Sequence, residues 1–348
     1  MKILLVQTSF LGDTILSTPL IAGLKKLYPE AELWMMTTPL AATLVKRDPL
    51  LAGVIPFAKR GSESGIKGLL RQANQLRKLN FAMAYSLHRS ARTSLLLALS
   101  RIPLRVGFKS AKLAFLYSET RARPTDLHDV KRNLALLNQG PPKTELPDQL
   151  RLFAPEKKEL APALQAELPA PGSYVLMVPG SAWETKRWST AGYHQVAEYL
   201  TKKGWPVVLM GSGEEVEVCQ EVAGSLKVIN LAGRGDLDTA LYLTKHARLM
   251  ICNDSMALHM ASAGKIPTIA IFCATIPEFG FGPWRNRAII VEKKGLDCRP
   301  CARHGSRQCP NQTRSCIDGL PATEVIKAID ILMRELPPQP KSYCKARK

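Results

Sequence analysis

Short runs of consecutive apolar residues alternate with longer stretches of helical spacing along most of the 348-residue chain, and they do so in two series. The first series has strand patterns at 3–6, 32–37, 82–87 and 105–108, with helix patterns at 15–27 and 94–100. The second has strand patterns at 174–178, 206–210, 227–230, 249–252 and 268–272, with helix patterns at 190–203, 214–223, 237–246, 256–263 and 322–336. Strands that are apolar on both faces and joined by helices make parallel sheets covered on both sides. Between the two series, residues 141–172 carry repeated prolines (Pro141, Pro142, Pro147, Pro155, Pro162) and the charged run Glu156-Lys157-Lys158-Glu159, which reads as a linker. The expected architecture is therefore α/β, with two doubly wound domains at 1–155 and 172–336. A basic tail, 337–348, follows the Pro337-Pro338 helix breaker. In such sheets ligands lie beyond the carboxyl ends of the strands, so the loops leaving each strand are where chemistry is sought.

Charge narrows the partners. The chain carries 48 basic and 29 acidic residues, a net charge of +19, with basic residues concentrated between Arg71 and Arg132. Such an excess favours a polyanion: nucleic acid, anionic lipid or a phosphorylated glycolipid. No nucleic-acid-binding motif is present, which makes that partner the weaker reading. No apolar run is long enough to span a bilayer. The opening Lys2-Ile3-Leu4-Leu5-Val6 is interrupted by Gln7, Thr8, Gly12 and Asp13, so an export signal is not expected.

Four strand-to-helix loops carry the residue types of a phosphate-handling site. In the first, Gly12-Asp13 follows the opening strand; Asp13 is either a helix cap or a carboxylate able to take a proton from a hydroxyl. The second is Pro179-Gly180-Ser181 through Thr185-Lys186-Arg187-Trp188, where backbone N–H groups, hydroxyls and a lysine can surround an anion. The third is Met210-Gly211-Ser212-Gly213-Glu214-Glu215, in which an acid can accept from ribose hydroxyls or simply match a helix dipole. In the fourth, Asn253-Asp254-Ser255-Met256 leads into a helix bearing His259, whose first-turn N–H groups can hold a diphosphate without a metal. In the first series, Leu87-His88-Arg89-Ser90-Ala91-Arg92 and nearby Lys109 supply cations suited to phosphate or carboxylate. The triplet Asp236-Leu237-Asp238 precedes a helical run and reads as a cap rather than a metal-binding motif, so no catalytic metal is expected. Cys219, Cys252 and Cys273 sit in or beside apolar segments as small hydrophobes. Cys298, Cys301, Cys309 and Cys316 have the number of thiols a tetrahedral structural zinc needs; a loop of free thiols is the competing reading.

These segments, in this order, resemble the heptosyltransferases of glycosyltransferase family 9. The resemblance rests on Gly12-Asp13, Pro179-Gly180-Ser181 to Trp188, Gly211-Ser212, Leu231-Ala232-Gly233 and Asn253-Asp254-Ser255 with His259, and it spans about residues 1–332. It implies a GT-B fold, two Rossmann-like domains facing across a cleft, the first binding acceptor and the second nucleotide-sugar. The implied reaction is metal-independent, inverting transfer of L-glycero-D-manno-heptose from ADP-heptose to the inner core of lipopolysaccharide, as the second heptose on a lipid-linked Kdo-heptose acceptor. The implied place is the cytoplasmic face of the inner membrane, with no nucleic-acid partner. By the same resemblance Asp13 is the general base, and Ser181, Thr185 and Lys186 contact the diphosphate. Glu214 or Glu215 contacts ribose, while Asp254, Ser255, Met256 and His259 form the donor-sugar and phosphate site. The first domain's Arg89, Arg92 and Lys109 are expected to meet the acceptor. Met256 departs from the family, which usually has glycine there; a backbone N–H survives the change.

Overall fold

The computed structural model describes residues 1–59, 61, 63–137 and 145–337. The chain divides into two compact units, Met1–Phe153 and Ala154–Lys348.

The first unit is built on six strands: β1 (Lys2–Val6), β2 (Glu32–Thr37), β3 (Leu51–Pro56), β4 (Met83–Ser86), β5 (Leu104–Phe108) and β6 (Glu119–Arg121). Every pairing is parallel and the order is β3-β2-β1-β4-β5-β6. The chain winds outward in both directions from β1 and β4, so the loops leaving these two strands flank the switch point where ligands bind in such sheets. The apolar run of β1 is buried throughout, as expected for a central parallel strand. Its residues alternate between faces. Leu4 and Val6 join a core with Leu69 and Leu76 of α4 (Gly65–Leu79) and Leu96 of α5 (Ala91–Leu99). A second group comprises α1 (Leu11–Ser17), α2 (Pro19–Leu27), α3 (Pro39–Val45) and α6 (Asp129–Leu134).

The single helix expected at 15–27 is two helices. Pro19 lacks a backbone N–H and sits in the first turn of α2, so α1 ends at Ser17 and Thr18 forms the joint. Strands β3 and β6 and helix α6 had no clear periodic signal.

The second unit repeats the plan. Its strands are β7 (Val175–Val178), β8 (Val207–Leu209), β9 (Ile229–Asn230), β10 (Leu249–Asn253), β11 (Thr268–Phe272) and β12 (Ala288–Glu292), in the all-parallel order β12-β11-β10-β7-β8-β9. The helices are α7 (Pro162–Glu167), α8 (Thr190–Lys202), α9 (Val216–Ala223), α10 (Leu237–His246), α11 (Met256–Gly264), α12 (Ser315–Asp318) and α13 (Ala322–Arg334). One continuous core joins β7, α8, β10, β11 and α13 through residues such as Val175, Tyr193, Ile251, Ile271 and Val325. Burial of each such aliphatic side chain contributes about 1.5–3 kcal/mol relative to exposure. Here the switch point lies between β7 and β10, so two of the four chemically marked loops emerge side by side.

The described part of the proline-rich stretch is anchored rather than loose. Leu150, Leu160, Leu164 and Leu168 are buried, and Arg151 binds Asp48 through both Nε (2.8 Å) and Nη2 (2.7 Å). Its prolines 141 and 142, and the tail from residue 338, lie outside the described residues.

Candidate active site

In the first unit the loop after β1 turns directly into α1. Asp13 is the third residue of that helix, and its Oδ2 accepts from the N–H of Phe10 at 3.2 Å. Asp13 is thus not the N-cap, a position that falls to Phe10; it closes the first turn of α1 from inside the helix. Burial pushes the Asp13 carboxyl up to about 6; the negative charge of Asp129 adds to the rise, while the Phe10 N–H, Arg123 and Arg89 oppose it. Asp129 is itself buried at the start of α6 and paired with Arg123. Asn133, one turn on, donates from Nδ2 to Asp129 Oδ2 (3.1 Å) and to the Leu16 carbonyl of α1 (3.2 Å). This amide ties the helix carrying Asp13 to the helix carrying Asp129.

A second cluster lies where β1, β3 and β4 end. His88 Nδ1 sits 3.0 Å from Thr8 Oγ1 and 2.6 Å from Thr93 Oγ1. Lys59 Nζ donates to the Thr8 carbonyl (2.5 Å) and lies 3.4 Å from His88 Nε2. Burial, with Lys59 and Arg89 nearby, lowers the His88 pKa to about 4, so its imidazole is neutral. Of the cations expected to meet an acceptor, Arg89 acts on Asp13 electrostatically. Arg92 is held locally, donating to the Glu63 carbonyl and lying over the Phe57 ring. Lys109 is exposed beside β6, its N–H bonded to the Arg121 carbonyl.

In the second unit, Asn253 at the end of β10 fastens the loop after β7. Its Nδ2 donates to the Pro179 carbonyl (2.7 Å), and its Oδ1 accepts from the Trp188 N–H (3.1 Å). That bracing sets Lys186 Nζ 2.7 Å from Asp254 Oδ2, the aspartate buried and the lysine largely so. Thr275, just beyond β11, donates to the same Asp254 oxygen at 2.7 Å. Arg299 in turn donates to the Thr275 carbonyl (2.7 Å) and pairs with Glu292 (2.6 Å). Ser255 caps α11 without a side-chain cap bond, and its Oγ is buried with no hydrogen-bond partner among the described residues. His259 is buried on the same helix, and Met256 is its first residue.

The structure separates residues that the sequence left together. Glu215 turns inward: its Oε2 accepts from Ser212 N–H (2.7 Å), and a Cβ added to Gly180 would lie 1.9 Å from its Oε1. A side chain at position 180 would displace the Glu215 carboxylate from this position. Glu214 is exposed. Ser181 is buried in the loop after β7, and its carbonyl accepts from Arg187 Nε (2.7 Å). The Thr185 hydroxyl is engaged on both sides by Ser306, donating to its carbonyl (3.0 Å) and accepting from its N–H (2.8 Å). Asp236 Oδ1 accepts from Thr239 N–H (2.9 Å), so the Asp-Leu-Asp triplet is a helix cap, as read from sequence.

Among the described residues no three His, Cys, Asp or Glu side chains are grouped to hold a metal, although the thiols of Cys301, Cys309 and Cys298 lie near enough to Cys316 to add to the effect of burial in raising its pKa. Cys316 is buried in the core, where desolvation pushes its thiol up to about 11, and Cys301 Sγ bonds to the Cys298 carbonyl (3.1 Å). The segment buttresses the phosphate-type loop through Ser306. The sequence alone assigns Asn253 no role of its own and does not single out Thr275, Asp129 or Lys59. Thr275 was findable, since it follows β11 as Asp254 follows β10.

A family model described as glycosyltransferase family 9 (heptosyltransferase) matches residues 69–312. The chain belongs to glycosyltransferase family 9. Its curated relatives include lipopolysaccharide heptosyltransferase 2 of Salmonella typhimurium, 28% identical over 310 residues, covering 84% of this chain and 88% of that one. Lipopolysaccharide heptosyltransferase 3 of Escherichia coli is 26% identical over 345 residues, covering 93% and 96%. Among solved structures, that of E. coli ADP-heptose lipopolysaccharide heptosyltransferase II superposes with a TM-score of 0.79 at 25% identity, covering 96% of this chain and 99% of that one. This family 9 chain is therefore a glycosyltransferase with a GT-B fold, as the motif order implied.

Proposed function

We propose that this family 9 enzyme transfers heptose from ADP-L-glycero-D-manno-heptose to the lipopolysaccharide inner core, with inversion. The observation that carries the reading is the Lys186–Asp254 pair, set beside the uncapped start of α11. Thr275 fixes Asp254, which holds Lys186 in place, and the lysine's remaining N–H groups, the Ser255 hydroxyl and the Met256 backbone N–H receive the diphosphate. A fixed cation and helix dipole stabilise charge developing on departing ADP, the role a divalent ion plays in other transferases. Glu215, rather than Glu214, is the ribose acceptor. Asp13 removes the proton of the acceptor hydroxyl as its oxygen attacks the anomeric carbon. With its carboxyl near 6, Asp13 is ionised at neutral pH and still basic enough to take a proton. The acceptor is the lipid-linked Kdo-heptose core, and addition is at the second heptose. The enzyme works at the cytoplasmic face of the inner membrane. Among the described residues, no helix is long and apolar enough to cross a membrane.

Mass spectrometry of product formed from ADP-heptose with core acceptors ending before the first, second or third heptose tests donor and position together. The expected result is one added heptose on the acceptor already carrying the first, unchanged by EDTA. Product only on another acceptor moves the position; product only with another nucleotide-sugar replaces the donor; loss with EDTA ends metal independence.

A further inference from the structure

Between Glu63 and Glu119 the chain holds ten basic residues and no acidic one. Of these, Lys67, Arg71, Arg77 and Lys78 lie on α4 and Lys109 and Lys112 in the loop after β5, while Arg89 acts on Asp13 and Arg92 is held by Glu63 and Phe57. Helix α4, helix α5 and the loop between β5 and β6 send Leu69, Leu76, Leu96, Leu97 and Tyr117 into a single core. Their outer surfaces therefore share one flank. Two bonds fix that flank: Arg77 Nε donates to the Leu99 carbonyl at 2.8 Å, joining α4 to the end of α5. Ser94 Oγ donates to the Lys112 carbonyl at 2.7 Å, joining α5 to the loop.

Apolar side chains project from the same flank. Phe115 is 80% exposed and Ile66 is 75% exposed, with Leu70, Leu95 and Leu113 also exposed. Scattered exposed apolar residues are ordinary on protein surfaces. These are set among Lys67, Arg71, Arg77, Lys78 and Lys112, in a stretch of sequence without an acidic residue. On α4, Ile66 and Leu70 are one turn apart on the outward face while Leu69, Ala73 and Leu76 face the core. An outward helix face that mixes aliphatic and cationic residues without acids suits the boundary between headgroups and acyl chains of an anionic bilayer. A nucleic acid would use the charge but leave Phe115 and Ile66 in water.

We infer that the outer face of α4, α5 and the Lys112–Phe115 loop docks on an anionic lipid surface, Ile66 and Phe115 entering the interface and the surrounding cations meeting headgroups. This deepens the reading of the acceptor as lipid-linked, and the vesicle assay that tests it needs no sugar.

The experiment is co-sedimentation of the full chain with phosphatidylglycerol/phosphatidylethanolamine vesicles and with phosphatidylcholine vesicles, at low and high salt. The variants are Ile66→Ser with Phe115→Ser, and Lys67→Glu with Lys112→Glu; these side chains are exposed, and unchanged melting confirms folding. Expected are preference for the anionic vesicles, weakening with salt, and about tenfold lower partition for the charge-reversed pair. The serine pair should lose the binding that survives high salt. Heptose transfer to a delipidated core oligosaccharide should stay unchanged in both pairs. Equal partition of wild type to both vesicle types, or wild-type partition by both pairs, overturns the inference. So does tight RNA binding, lost in the charge-reversed pair, without vesicle binding. Vesicle binding with no sugar transfer would sink the functional reading and leave the docking face standing.

Discussion

Lys186 Nζ lies 2.7 Å from Asp254 Oδ2, with the lysine side chain 12% and the aspartate 4% exposed. A buried pair of this kind leaves an uncompensated charge when one partner is removed, which costs about 3–5 kcal/mol. Lys186→Ala should therefore lower the melting temperature as well as abolish rate. Lys186→Ala with Asp254→Asn removes both charges, and should regain most of the stability while staying inactive. Thermal melts and initial rates, measured on both, separate the two roles. Rate recovering in the double variant would show that the lysine serves the fold alone.

Asp13 should set the acid side of the pH profile. Its folded pKa is raised to about 6, so the carboxylate is ionised above that pH and progressively protonated below it. A plot of kcat/KM against pH should break near this value, falling on the acid side. Asp13→Asn should lose about 10²–10⁴ in rate and flatten that limb. A profile flat through this range in the wild type would remove Asp13 from the proton transfer.

Asp129 is the neighbour that holds Asp13 up. Removing its negative charge makes Asp13 easier to ionise, so Asp129→Asn should move the acid limb to lower pH. The Asn133 bridge and the Arg123 pairing also pass through this carboxylate, so some loss of melting temperature accompanies the shift. An unmoved limb would leave Asp129 with a role in folding only.

Glu214 and Glu215 should behave differently despite being adjacent. Glu215 contacts Ser212 and lies against Gly180, whereas Glu214 is exposed. Calorimetric titration with ADP should show about tenfold weaker binding for Glu215→Ala, the worth of a lost charged hydrogen bond. Glu214→Ala should match wild type. The reverse ranking would reassign the ribose contact.

His88 should stay neutral across the physiological range. Its pKa is lowered to about 4 by burial and then by Lys59 and Arg89. Its ring resonances should therefore not titrate between about pH 5 and 8, where an ordinary histidine does. Lys59→Met removes one of the opposing cations and should raise the midpoint.

The alternation of buried strands and helices, read along the chain, determined the α/β class and the two-series plan. It also located the loops that carry Asp13, Lys186, Glu215 and Asp254, because apolar periodicity and turn chemistry act over a few neighbouring residues. The joint at Thr18-Pro19 was equally local, and the proline could have marked it. Tertiary structure alone decided which groups in those loops meet. Asp254 belongs to Lys186 and Thr275, Asn253 to Pro179 and Trp188, and Asp129 to Asp13 through Asn133 and Leu16. The same holds for Thr185, engaged by Ser306. In a parallel sheet neighbouring strands are joined by long crossovers, so partners at one sheet edge lie tens of residues apart, and no local pattern encodes their pairing.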